Sequence, residues 1–262
     1  MKNQLILHIP HSSDIIPDKS GYVVDDAKLA AEKLLLTDWH TEDLFYHTDS
    51  ISIVTPFNRI FCDVERFPND ADEIMSSVGM GVAYKKNDDG TDLRNVSAEL
   101  KAEILDKYYY PHHKRLSEAV NKQLSTNHRA LIIDCHSFSN KPFKRDLNQS
   151  QPRPDICIGT DSYHTPPGLI KFSETYFRLA GYSVMINNPY LGSIVPMEYY
   201  QKDIRVQSIM IEINRDLYLI PSTNMSNKNY IKIKRHIKNY LDKVNTVDYC
   251  YEAPIESLPE TD

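Results

Sequence analysis

The chain has 262 residues, of which 41% are hydrophobic and 25% are charged, and its formal net charge at pH 7 is −6. This composition is typical of a soluble globular protein that buries a full core without disulfide bonds. The negative charge argues against nucleic acid as the main partner, because phosphate binding requires a basic face. No apolar stretch approaches the roughly 20 residues that span a bilayer, which argues against a membrane protein.

The cysteines and the start of the chain indicate the compartment. None of the four cysteines, Cys62, Cys135, Cys157 and Cys250, forms a CxxC pair, so a structural zinc knuckle is excluded. Three of them lie in or beside apolar runs, where a free cysteine behaves as a small buried hydrophobe. The first predicted strand begins within five residues of Met1, with no signal peptide before it. We therefore expect a cytoplasmic protein with reduced thiols.

Taken in chain order, the hydrophobic pattern predicts strands that alternate with helices. Strands are predicted at 4–9, 51–55, 58–64, 130–135, 155–159, 182–186 and 206–213, and helices at 25–47, 97–126 (interrupted near Pro111), 166–180 and 226–244. The polar segments 67–95 and 139–153 predict loops, and long loops in compact domains are usually functional or disordered. The alternation gives an α/β layer fold with a mostly parallel sheet. We predict one domain over residues 1–262, with a loosely ordered tail from about residue 245.

Two of the predicted strands end in histidine and serine. The apolar run 130–133 leads into Asp134-Cys135-His136-Ser137, and the first strand leads through His8 into Pro10-His11-Ser12. Ligands bind at the carboxyl ends of strands in open α/β sheets, and two imidazoles at one such site indicate a metal. His11 and His136 are therefore predicted as ligands, with a loop cap as the alternative for His11. His8 is expected to be an ordinary strand side chain, and Asp134 either orients a ligand or caps a helix.

A charged segment, residues 58–66, follows the second predicted strand. If this segment is extended, Arg59, Asp63 and Glu65 lie on one face. An arginine held by Asp63 would bind a substrate carboxylate through two hydrogen bonds. The alternative is a surface ion pair of little energetic value, and the spacing alone does not separate the two.

Glu212 ends the predicted strand 206–213 and is followed by Arg215. Partial desolvation there would raise the pKa of Glu212, which suits a general base; the alternative is a salt bridge to Arg215. Asp38 lies within the first predicted helix. The segment 108–113 contains two adjacent histidines and resembles a tandem metal-binding motif. We predict instead that it forms an aromatic helix face at the surface, with His113 as a possible exception.

At these residues the chain resembles the N-formylglutamate amidohydrolase family. The matching motifs run in order from about residue 5 to residue 220: Ile9-Pro10-His11-Ser12-Ser13, Thr37-Asp38-Trp39, Asn58-Arg59, Asp63-x-x-Arg66, Asp134-Cys135-His136-Ser137, Asn188-Pro189-Tyr190 and Glu212-Ile213-Asn214-Arg215. Each motif alone is weak, and the ordered set is fairly specific.

The resemblance implies a zinc-dependent amidohydrolase with a three-layer α/β/α, phosphorylase/hydrolase-like fold, similar to zinc carboxypeptidases and aspartoacylases. It implies one zinc ion held by His11 and His136, with Glu212 as general base. Arg59 becomes the group that steadies the oxyanion. Asp63 and Arg66 complete the carboxylate and oxyanion group, in which Arg59 or Arg66 holds the substrate carboxylate, and we predict Arg215 as a further substrate-binding residue.

The carboxylate ligand of the family matches this sequence less directly. Relatives have a glutamate three residues after the first histidine, where this chain has Asp14. We therefore predict Asp38 as the carboxylate ligand, with Asp14 and Asp63 as alternatives. The family usually has an asparagine where this chain has Glu65, and an extra negative charge there would repel N-formylglutamate unless it is paired or neutral.

The predicted function is metal-dependent hydrolysis of an N-acyl amino acid, with N-formyl-L-glutamate as the first candidate substrate. A zinc peptidase or amidase that acts on larger peptides is the second hypothesis. A ligand-binding relative without catalysis is the third. No partner other than a small anionic substrate is predicted.

Overall fold

The computed structural model describes residues 4–246 of the chain. The strands are β1 (Ile6–Ile9), β2 (Ile51–Val54), β3 (Ala130–Phe138), β4 (Ile156–Gly159), β5 (Val184–Ile186) and β6 (Val206–Asn214). The α-helices are α1 (Asp26–Leu36), α2 (Thr41–Leu44), α3 (Ala98–Ile104), α4 (Tyr110–Asn127), α5 (Pro167–Leu179) and α6 (Tyr230–Val244).

The strands form one six-stranded mixed sheet in the order β2-β1-β3-β6-β4-β5. The first four strands in this order run parallel to one another. β4 runs antiparallel to β6, and β5 is parallel to β4. The mostly parallel α/β sheet predicted from the sequence is confirmed, and β3 and β6 lie at its centre.

Alternation along the strands separates two apolar faces of the sheet. Leu7, Ile133 and Ile211 belong to the cluster that also contains the buried side chains of α5 and α6. Ile6 and Ile132, on the other face, pack with the apolar side of α4. The sheet is therefore covered on both sides, and the predicted three-layer α/β/α arrangement is confirmed.

The strand predicted at residues 58–64 is wrong, because Asn58 organises this segment as a turn. Its side-chain amide donates to the carbonyl oxygen of Ser13 and to Thr37 Oγ1, and its side-chain oxygen accepts from the backbone N–H of Ile60. Asparagine favours turns through such local bonds to the backbone. β2 consequently stays at the edge of the sheet, and alternation does not decide which side chains of this segment meet.

The helix predicted at residues 25–47 is two helices. Asp25 caps α1 at its start, and the chain leaves the helix at Thr37, which is extended. The N–H of Asp38 then donates to the carbonyl oxygen of His11. Asp38 therefore lies in the connection to α2 rather than within a helix, and this backbone bond holds it beside the end of β1.

The helical region after residue 97 begins as predicted, with Ser97 accepting the N–H of Leu100. A π-helical turn, Leu105–Tyr109, joins α3 to α4, and Pro111, which has no N–H to donate, lies just after it in α4. The surface position predicted for segment 108–113 is wrong, since Tyr109 and His112 are buried. A π turn often marks a functional position, and this one directs His112 towards the sheet.

Residues 67–95 form an ordered loop that contains one short 3₁₀ helix, Ile74–Val78. Met75, Tyr84 and Leu93 of this loop are buried. Its apolar side chains pack in the same cluster as α1. The loop is therefore a packed wall of the molecule, beside the ends of β1 and β3.

Of the predicted buried cysteines, Cys62, Cys135 and Cys157 are buried and free. Cys250 and nearly all of the predicted tail lie outside the described residues. Within residues 4–246, none of the helices combines the length and the apolar character that crossing a bilayer requires.

Candidate metal centre and active-site cleft

A cleft of about 1060 Å³ opens at the carboxyl ends of the central strands. Period-two alternation places His8, Asp134, His136 and Glu212 on the same face of the sheet as the side chains that pack against α4. Register brings them together, since His8 lies opposite Asp134 and His136 lies opposite Glu212. The central strands thus supply a rigid, polar floor to one side of the cleft.

His136 is held between carboxylates on both sides of its ring. Its Nδ1 lies 3.2 Å from Asp38 Oδ2, and its Nε2 lies 3.1 Å from both Glu65 Oε1 and Asp134 Oδ1. Burial would lower the pKa of His136, but the charges of Glu65 and Asp134 outweigh it and raise that pKa well above its usual value. The Nε2 atom of the ring therefore faces two carboxylate groups, those of Glu65 and Asp134.

His11 has a similar arrangement with a different carboxylate. Its Nε2 lies 2.9 Å from Asp63 Oδ1, while its Nδ1 is buried and makes no hydrogen bond. With the Nε2 proton donated to Asp63, Nδ1 carries a free lone pair. The rings of His11 and His136 are 5.1 Å apart, centroid to centroid. An outer carboxylate that fixes the tautomer of a histidine is the usual support of a metal ligand.

Two groups of side chains among the described residues could hold a metal ion. The first is His11, Glu65 and His136, and the second is His8, Glu65 and Asp134; in each group the donor atoms lie within 4.8 Å of one another. Asp38 belongs to neither group. Its Oδ2 accepts from the N–H of Ser137 and from His136, which places it behind the histidine rather than in the cleft.

Arg215 fixes the other oxygen of Asp38. Its Nη2 donates to Asp38 Oδ1 at 2.8 Å and its Nη1 donates to the carbonyl oxygen of Leu35. Burial raises the pKa of Asp38, but the neighbouring His11 and His136 and the charge of Arg215 hold that pKa well below the usual range. Arg215 therefore pairs with Asp38, and the salt bridge to Glu212 that the sequence left open is not formed.

Asp63 is the centre of the arginine cluster. Its Oδ2 accepts from Arg59 at 3.0 Å and from Tyr84 at 2.8 Å, and Arg66 lies 3.7 Å away. Burial raises the pKa of Asp63, but the charges of Arg59, His11 and Arg66 hold it well below the usual range. The Arg66 Nε is buried and has no hydrogen-bond partner, so this guanidinium keeps a donor for a ligand.

Glu212 lines the cleft but has no ion-pair partner among residues 4–246. Its Oε2 is buried and makes no hydrogen bond. Burial raises the pKa of Glu212 to about 8, with the negative charges of Asp38 and Glu65 adding to the shift and His136 opposing it. A carboxyl group that exchanges its proton near neutral pH is suited to general acid–base work.

Three contributors were not predicted from the sequence. Glu65 lies between the two histidines, Tyr84 donates to Asp63, and His112 Nε2 lies 2.9 Å from His8 Nε2. His112 Nδ1 lies 3.2 Å from Thr55 Oγ1. In the sequence, the paired histidines at 112 and 113 were the signal that could have identified His112. The departure from the family pattern at Glu65 was the signal that could have identified Glu65.

Comparisons with known proteins identify the family and the fold of the chain. A sequence model of the family described as N-formylglutamate amidohydrolase matches residues 3–219. The solved structure of N-formylglutamate amidohydrolase from Ralstonia eutropha JMP134 has a TM-score of 0.80 and 24% identity, over 92% of each chain. The gene product Atu2144 from Agrobacterium tumefaciens has a TM-score of 0.62 and 19% identity, over 93% of this chain and 90% of that chain. These two likenesses establish the fold. No curated protein matches the chain.

Proposed function

The chain belongs to the N-formylglutamate amidohydrolase family, and from this premise we propose that it hydrolyses N-formyl-L-glutamate to formate and L-glutamate in a zinc-dependent reaction. The observation that carries the proposal is the convergence of two supported imidazoles on one carboxylate. His136 faces Glu65 through Nε2 and is held by Asp38 through Nδ1, and His11 lies 3.7 Å from Glu65 and 2.9 Å from Asp63 through its Nε2.

The residues present fit a zinc ion. Two neutral imidazoles and one carboxylate are a common protein ligand set of catalytic zinc, which keeps one position open for water or substrate. The Nδ1 of His11 is buried and has no hydrogen-bond partner, as expected of a nitrogen that binds a metal. We therefore propose His11, His136 and Glu65 as the ligands, with Glu65 in the position we predicted for Asp38.

When bound, zinc would activate a water molecule and polarise the formyl carbonyl as a Lewis acid. Glu212 takes the proton of the attacking water and returns it to the nitrogen of the departing glutamate. Its desolvated position supports both steps, because a pKa of about 8 keeps both protonation states accessible near neutral pH.

The arginine cluster holds and orients the substrate. Arg66 has a donor free for a substrate carboxylate, and Arg59 lines the same cleft. Asp63 keeps both guanidinium groups in place, because its oxygens are tied to Arg59, Tyr84 and His11. Asp38 and Arg215 act behind the histidine by fixing its ring.

The size of the cleft favours a second candidate, an amidase that acts on a longer N-acyl peptide. A volume of about 1060 Å³ lies slightly above the usual range for small-molecule sites. Exposed apolar side chains lie on its wall, among them Phe67, Leu191 and Met197. Such a wall would accommodate residues beyond a single amino acid.

Formate release separates these candidates. Purified, zinc-loaded protein is incubated with N-formyl-L-glutamate, N-formyl-L-glutamine and an N-formyl dipeptide, and formate is measured with formate dehydrogenase. We expect the highest kcat/KM with N-formyl-L-glutamate, and Glu212→Gln serves as the blank. Preference for the dipeptide would support the second candidate, and no formate from any substrate would contradict both.

A further inference from the structure

We propose that the cleft binds a second divalent cation beside the first, between His8, Asp134 and Glu65. This inference rests on the proposed function only in placing the catalytic ion at the first group. His8 Nδ1 lies 2.8 Å from Asp134 Oδ1 and 3.7 Å from Glu65 Oε1. One imidazole nitrogen and two carboxylate oxygens from three separate segments therefore meet at one point, within ligand-to-ligand range.

Glu65 connects the two positions. Its Oε1 lies 3.1 Å from His136 Nε2 and 3.7 Å from His8 Nδ1, whereas its Oε2 lies 3.7 Å from His11 Nε2. Oε1 thus faces one histidine of each group, while Oε2 faces the other histidine of the first group, and a carboxylate placed in this way can bridge two ions. Ions in two-metal hydrolytic sites are about 3.5–4 Å apart, and a bridging carboxylate spans such a distance.

The surroundings of His8 support a ligand role for its Nδ1. The ring is fully buried, and the register of β1 with β3 fixes it opposite Asp134. Its Nε2 faces His112, and His112 faces Thr55. If protons run along this chain from His8 to His112 and on to Thr55, Nδ1 of His8 has a lone pair free for an ion. Metal-ligating histidines usually donate their other N–H in this way.

Charge supplies an independent argument for a second cation. The site holds five carboxylates, Asp38, Asp63, Glu65, Asp134 and Glu212, but three guanidinium groups, those of Arg59, Arg66 and Arg215. One divalent cation balances the site while Glu212 is ionised. Binding of a dianion such as N-formylglutamate would then leave two uncompensated negative charges in a buried site, which is costly. A second divalent cation restores neutrality in the substrate complex.

Counting bound ions tests the inference without reference to activity. The full-length protein is stripped of metal and titrated with Co²⁺, with metal content measured by mass spectrometry and the Co²⁺ signal followed by electron paramagnetic resonance. We expect two equivalents of Co²⁺ per chain, and we expect the second to attenuate the signal of the first through spin coupling. A single equivalent in the wild-type chain overturns the inference.

A pair of histidine variants locates the second ion. His8→Asn should bind one equivalent of Co²⁺ and show no spin coupling. His47→Asn is the matched control, because His47 is also buried and also faces a carboxylate, Asp242, at 3.0 Å, and it should bind two. Two equivalents in His8→Asn would overturn the assignment. If His8→Asn does not fold, the wild-type spin coupling still decides.

The outcomes also separate this inference from the proposed function. One bound ion together with chelator-sensitive release of formate would leave the proposed function standing and remove the second position. A wild-type chain that retains no Co²⁺ and no Zn²⁺ would contradict both.

Discussion

The two halves of the cleft balance their charges in different ways. In the arginine half, Asp63 is surrounded by Arg59, Arg66 and Tyr84. In the histidine half, Glu65 and Asp134 form ion pairs only with histidines among the described residues. The arginine half therefore contains permanently charged counter-groups for its carboxylate, whereas the carboxylates of the histidine half face only imidazoles. This difference supports the proposal that the histidine half binds a cation.

The largest expected effect comes from removing a supported imidazole. His136→Ala should abolish binding of the catalytic zinc ion and lower kcat/KM by on the order of 10³-fold, because a catalytic ion and its electrostatic stabilisation are lost together. Metal analysis after gel filtration and formate release measure the two effects. Full zinc content in a folded His136→Ala protein would contradict the ligand assignment.

The next effect separates chemistry from metal binding. Glu212→Gln should lower kcat by about 10²–10⁴-fold, the usual contribution of a positioned acid or base, while zinc content stays at the wild-type level. Steady-state kinetics and metal analysis of the same preparation test it. Loss of zinc in this variant would instead place Glu212 among the ligands.

Asp38→Asn tests the support behind the histidine. If Asp38 orients the His136 ring, the variant should weaken zinc affinity by roughly 10- to 100-fold, as measured for outer partners of metal ligands. Glu65→Gln is the matched comparison and should lose zinc retention completely. The reverse order of the two affinities, in competition with a chelator, would restore Asp38 as the carboxylate ligand.

The smallest effect concerns the neutral histidines behind the histidine half. Burial, followed by the charge of His8, lowers the pKa of His112 to about 2 and that of His113 to about 4. Below pH 6.5 the unfolded chain therefore takes up protons that the folded chain refuses, and stability falls as the pH drops from 6.5 towards 4. These imidazoles consequently supply no positive charge to the site.

His113→Gln isolates this pH dependence and keeps a donor for the carbonyl oxygen of Val64. Between pH 6.5 and 4, the free energy of unfolding of the wild type should fall more steeply than that of the variant, by about 1.4 kcal/mol per pH unit at most. Urea unfolding at several pH values measures both slopes. Parallel curves would show that His113 titrates equally in both states.

Much of the fold followed from the hydrophobic pattern, because strands buried on both faces read as continuous apolar runs. The pattern failed at residues 58–64, where the side chain of Asn58 bonds to Ser13 and Thr37 across the chain. No local periodicity reports contacts with residues more than twenty positions away. Tertiary bonds of this kind decide whether such a segment extends or turns.

The candidate site followed from the sequence in part. Strand ends gave His11, His136 and Glu212, because the apolar run that forms a strand and the polar residue that ends it are local features of the sequence. From the sequence, Glu65 is expected to repel an anionic substrate rather than to bind a metal. The expectation misses its position because a turn, and not a strand, determines where the side chain points. The turn brings it between the two imidazoles. The single-domain assignment and the site roles remain predictions.

Metal dependence of formate release tests the central claim most directly. The purified chain is treated with a chelator, desalted, and assayed with N-formyl-L-glutamate before and after addition of Zn²⁺. We predict that chelation abolishes formate release and that Zn²⁺ restores it. Arg59 and Arg66 are present in both samples, so the arginine half alone would not support the reaction. Full activity in the metal-free protein would show that the histidine half works without a cation, and would contradict the account.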